Sequence, residues 1–117
     1  MYDYDEFCDN LGIKIDEKFK YLESVEMEDG IILDFDVNNR PVSLEILDAS
    51  KRLNIPKESL NNIVFFKMEV AVGEKSICLN AVICVLIDNV ENTRNIELFT
   101  SNSSHIPDTV SELALAS

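Results

Sequence analysis

Along most of this chain apolar residues recur at every second position, the period of a strand with one buried face. Tyr2 and Tyr4 alternate with acidic residues, and Leu11, Ile13 and Ile15 alternate with Gly12, Lys14 and Asp16, so two short strands are expected about a turn in 5–10. Phe19, Tyr21 and Val25 mark a weaker strand or extended segment in 18–25. Ile31, Leu33 and Phe35 then share one face while Ile32, Asp34 and Asp36 share the other, and Val42, Leu44 and Ile46 alternate with Ser43, Glu45 and Leu47. Asp29-Gly30 and the Val37–Arg40 segment are turn sequences, because Gly, Asn and Asp accept the positive φ of tight turns. Residues 26–47 therefore predict a hairpin with its apolar face inward and its carboxylates turned to water.

At Asp48-Ala49-Ser50 the period changes. Asp48 or Ser50 is placed to cap a short helix ending near Leu53, and 57–62 suits another helical turn after Pro56. From Ile63 the strand period returns, with Phe65, Lys67, Glu69 and Ala71 opposed to Phe66, Met68, Val70 and Val72. Ser76–Ile87 follows as a long apolar strand. The lack of alternation in Ala81–Ile87 implies burial on both faces or a central sheet position. Residues 88–95 look like a polar loop, 96–100 like a short strand, and 107–115 like a short helix capped by Asp108 or Ser111. The sum is an α+β fold: one antiparallel sheet system of hairpins and meanders, with about six or seven strands and one to three short helices. Residues 1–117 are expected to form a single domain, 4–53 and 54–117 contributing two halves of one core.

Composition refines this reading. At 117 residues one core can bury roughly two thirds of the unfolded chain's surface, and 46% hydrophobic residues suffice to fill it. The 22 acidic residues against 10 basic ones leave a net charge of −12, which disfavours nucleic acid, since phosphate binding depends on Lys and Arg. Cys8, Cys78 and Cys84 are an odd, widely spaced set, best read as reduced thiols acting as small hydrophobes. The acidic amino-terminal segment does not resemble a targeting peptide, and Ala81–Ile87 is too short to cross a membrane. A soluble cytoplasmic protein with no membrane partner is expected.

One stretch suggests chemistry. Counted from Asp34, residues Asp34, Asp36, Asn38 and Glu45 fall at positions 1, 3, 5 and 12 of the EF-hand calcium loop. Asn39 stands where that loop needs Gly, Val42 where it uses an oxygen ligand, and both flanks have strand period. A hairpin turn accounts for the same residues, which leaves weak calcium binding by surface carboxylates as the most this stretch offers. Asp48 and Ser50 are better explained as caps than as catalysts. His105 lies in a polar loop without a partner pattern, and pairs such as Glu26 and Glu28 are generic in so acidic a chain. There is no glycine-rich phosphate loop, nucleophile elbow or zinc spacing. No catalytic residue, cofactor or firm metal site is expected.

Residues 4–53 resemble a family of small prokaryotic proteins known as domain of unknown function 2283. The resemblance rests on YDEFCDNLGIKI, VEMEDGIILDFD and VSLEILDASKRL, and most specifically on Asp29-Gly30, Ile32-Leu33-Asp34, Glu45-Ile46 and Asp48-Ala49-Ser50. It implies a compact β-rich module and carries no established activity. Asn39 stands where that family's turn often has Gly, and Gly12 where an aromatic is common. Together these observations predict a non-catalytic interaction or structural module, a homodimer joined by a strand edge or an apolar sheet face. The alternatives are an acidic module for cations or basic proteins, and an enzyme whose site lacks a sequence signature.

Overall fold

The computed structural model describes residues 1–116, with side chains to Leu115. Five strands come first: β1 (Tyr2–Asp5), β2 (Asn10–Lys14), β3 (Tyr21–Glu28), β4 (Ile31–Asp36) and β5 (Pro41–Ile46). The short helix α1 (Ala49–Leu53) and a 3-10 turn (Lys57–Asn61) lead into β6 (Ile63–Val72), β7 (Ser76–Ile87), β8 (Val90–Ser101) and β9 (Thr109–Ala116). The first five strands form one sheet in the order β1-β2-β5-β4-β3, and the other four form a second in the order β8-β7-β6-β9. Neighbouring strands are antiparallel throughout.

The α+β expectation is corrected: nine strands with one five-residue helix make the described residues nearly all-β. Two segments account for the difference. Residues 88–95 are not a loop, because Asp88 and Asn89 hold φ of 51° and 63° and close a two-residue hairpin turn. β8 then pairs with β7 without interruption from Ile87↔Val90 to Ser76↔Ser101. Nor is 107–115 a helix. Its Ser, Glu, Leu and Ala residues suit a helix locally, but β9 lies along β6 from Val72↔Thr109 to Phe65↔Ala116, and sheet pairing outweighs the local preference.

Alternation decides what each strand buries. Leu11, Ile13, Leu33, Phe35 and Leu44 from the first sheet join Phe66, Met68, Val70, Leu79 and Ile83 from the second in one apolar cluster, all of them nearly or wholly inaccessible. The sheets thus pack inner face to inner face. Tyr2 ties them at one side, its hydroxyl donating to the Asn61 carbonyl at 2.9 Å and accepting from the Ile63 amide at 3.2 Å. Edge strands β3 and β8 approach each other at the opposite side. β7 is central in its sheet: Ala81, Ile83 and Val85 are buried on its inner side, and on its outer side Cys84 is buried, Val82 half-buried and Leu86 exposed. The apolar run in 81–87 therefore reflects a central position with one open face.

Candidate functional site

Of the four predicted metal candidates, Asp34 and Asp36 have side chains engaged by donors of this chain. Asp34 lies on the outer face of β4 between two serines, accepting from Ser24 Oγ at 2.6 Å and Ser43 Oγ at 2.8 Å. Asp36 was expected to face water and instead is almost wholly buried. Its Oδ1 accepts the Asn38 amide at 3.0 Å and the Arg40 amide at 2.9 Å, and its Oδ2 pairs with Arg40 Nε at 3.2 Å. Burial works to raise the Asp36 pKa, but the two amides and the guanidinium outweigh it and hold the carboxyl below its ordinary value. Asn38 contributes its backbone amide, and exposed Glu45 lies along β5 opposite Ile32 and Gly12. Asn39 takes the positive φ, 61°, that the turn requires. The arrangement is a carboxylate-braced turn. Among the described residues no group of three or more His, Cys, Asp or Glu side chains could hold a metal ion.

A second polar centre is formed by residues distant in sequence. Asp9, in the β1–β2 turn at φ 58°, is buried, and its Oδ1 accepts the Tyr4 hydroxyl at 2.6 Å and the Ser50 amide at 3.0 Å. Its Oδ2 accepts Ser50 Oγ at 2.7 Å. The expected cap at the start of α1 is thus replaced: Asp48 makes no side-chain cap, and Asp9 supplies the acceptor from 41 residues away. Burial favours the protonated form of Asp9, but the donors from Tyr4 and Ser50 prevail and its pKa is lowered. The Tyr4 pKa is pushed up, first by burial and then by its hydrogen bond to Asp9. Because the hydroxyls of Tyr4 and Ser50 both donate to one carboxylate, this is a brace between the first hairpin and the helix. Sequence periodicity offers no signal for it, since the pairing depends on the tertiary fold.

The third feature is a surface. On the outside of the second sheet, Val110, Ala71, Cys78 and Phe99 stand side by side across β9, β6, β7 and β8. Phe99 is 78% exposed and Val110 72%. The next row holds Glu112, Glu69, Asn80 and Glu97, the row beyond it Ala114, Lys67, Val82 and Asn95, and Phe65 then stands beside Cys84 and Thr93. The expected role of the cysteines holds for Cys84, which is buried, whereas Cys8 is exposed in the first hairpin turn. Val110 escapes a sequence reading that treats 107–115 as a helix, while Phe99 lies in the expected 96–100 strand on the side opposite Ile96 and Leu98. The alternation in 63–72 nevertheless signalled the Phe65 side of this face.

A protein of this class is a two-sheet antiparallel β module with a braced first sheet and an uncovered apolar face on the second. The chain belongs to the family described as protein of unknown function (DUF2283), which matches residues 1–50, the span of the first sheet and the start of α1. It is 36% identical over 106 residues to a protein of Methanosarcina mazei described as a putative hypoxanthine phosphoribosyltransferase, covering 91% of this chain and 85% of that one. It is also 37% identical over 79 residues to an uncharacterized protein of Methanocaldococcus jannaschii, covering 67% of this chain and 66% of that protein. No solved structure matches it.

Proposed function

We propose that this protein is a non-catalytic interaction module that presents the outer face of its second sheet to a protein partner. One observation carries the reading: the row Val110, Ala71, Cys78 and Phe99 leaves large apolar side chains uncovered on a sheet face that water would ordinarily keep polar. The described polar centres favour the same reading, because Asp9 and Asp36 are occupied by donors of their own chain. The name borne by the Methanosarcina mazei relative implies a phosphorylated substrate, for which arginines would be natural anion partners. Here Arg40 is bound to Asp36 and Glu17, Arg52 to the Leu47 and Asp29 carbonyls, and Arg94 to the Leu53 and Asn54 carbonyls. A photo-cross-linking residue at position 99, compared in cells with one at position 45 on the first sheet, tests the docking role. Protein adducts concentrated at 99 are expected; equal yields at both positions would remove its basis.

Self-association at an edge is a second reading, favoured by β9. This terminal edge strand, TVSELALA, has neither Pro nor Lys to discourage pairing with another strand. Two β9 strands related by a two-fold axis centred on Leu113 would set Glu112 opposite Ala114 and avoid facing carboxylates. Sedimentation over a wide concentration range is expected to report a dimer that Ala114→Lys returns to monomer. A wild-type chain that stays monomeric throughout would end this reading.

A further inference from the structure

We infer that the partner taken by the open face is a cationic amphipathic protein segment, with Lys or Arg side chains flanked by apolar ones; this rests on the docking role proposed above. The order of the rows on this face points to such an occupant. Moving along the strands in steps of about 7 Å, the face presents the apolar row of Phe99 and Val110, the acidic row, and a mixed row of Ala114, Lys67, Val82 and Asn95. In the acidic row Glu112 is offset by Lys67, whose Nζ lies 3.6 Å from its carboxylate. Glu69 and Glu97 take part in none of the described ion pairs or side-chain hydrogen bonds, and both are exposed.

Those two carboxylates select the occupant. A partner that covers Phe99 and Val110 also takes water from Glu69 and Glu97 in the neighbouring row, and a purely apolar partner leaves them desolvated without compensation. A second copy of this chain would bring a like acidic row and a net charge of −12 against the same surface. Anionic lipid would meet the same repulsion. A segment with basic side chains between apolar ones supplies a charge-assisted partner for Glu69 and Glu97 while its apolar residues cover Phe99 and Val110 in the neighbouring row.

The test follows amide shifts of the full chain with peptides of about ten residues, in which Val alternates with Lys, Gln or Glu, and with polylysine as the purely electrostatic probe. Saturable binding of the Lys peptide is expected, with shifts confined to outward residues of β6 to β9. Affinity should fall at least about tenfold in Glu69→Lys/Glu97→Lys and on raising salt from about 50 mM to about 500 mM. Phe99→Ser/Val110→Ser, checked for unchanged folding by circular dichroism, should weaken binding at low and high salt alike. If the Gln peptide binds this face as tightly, the docking role stands and the cationic inference fails. If polylysine binds equally well, or if shifts spread over every acidic surface, the face does not select an amphipathic cation and the inference is overturned. Absence of binding by every peptide also overturns it, while cross-linking at position 99 judges the docking role separately.

Discussion

Asp9 does more for this structure than its place in a hairpin turn suggests, because one buried carboxylate accepts three donors from two distant segments. Asp9→Asn keeps the size but removes the charge and one acceptor oxygen, so the bond from Ser50 Oγ must reverse and the other two lose their charge assistance. A loss of about 1–3 kcal/mol in urea unfolding is expected. Its pH dependence has a definite sign. The folded pKa is lowered, so the stability Asp9 contributes is present above the ordinary carboxylate range and disappears as pH falls through that range toward the folded value. Asp36 acts with the same sign. Stability of the wild-type chain should fall between about pH 5 and pH 2, and Asp9→Asn should flatten part of that fall. An unchanged pH profile in the variant would show that the brace does not couple protonation to folding.

At the scale of elements, β8 shows how a strand can hide from periodicity. Asn92 and Arg94 occupy inward positions where apolar residues would complete the alternation, so the segment resembles a loop. Arg94 is explained by the end of α1: its Nε donates to the Leu53 carbonyl at 2.8 Å and its Nη2 to the Asn54 carbonyl at 3.0 Å. Those carbonyls lie where a helix end leaves acceptors unfilled and carries negative potential. Arg94→Ala should cost about 1–2 kcal/mol, measured by chemical unfolding, with increased amide exchange at Leu53 and Asn54. The preceding turn gives a contrasting expectation. Asn89 holds φ 63°, so Asn89→Gly removes left-handed strain and should be neutral or stabilising by about 0.5 kcal/mol in the same measurement. Most of the first sheet was legible because hydrophobic alternation and turn residues agree there. The ends of the second sheet were not, because one strand's inward side meets a helix terminus and the other's composition favours a helix when read alone.

For the whole molecule, charge and burial pull apart. A net charge of −12 repels itself in the compact state and does so less when salt screens it. The melting temperature should therefore rise from low salt to about 0.5 M sodium chloride; a fall would mean that the described ion pairs outweigh the general repulsion. The same charge sets the sign of partners that approach the open face, while Phe99 and Val110 supply its apolar contact.

The sequence by itself determined the strand period, the inward apolar sets, the DFDVNN hairpin turn and the resemblance carried by residues 4–53, because each is written in neighbouring residues. Only the tertiary structure decided that Asp36 is buried in its turn, that Asp9 caps a helix 41 residues away, and that β9 is a strand. It also decided that Phe99, Cys78, Ala71 and Val110 stand in one row. Those outcomes depend on which strands become neighbours, and pairing between distant segments follows from the shared core, not from the local period of either strand.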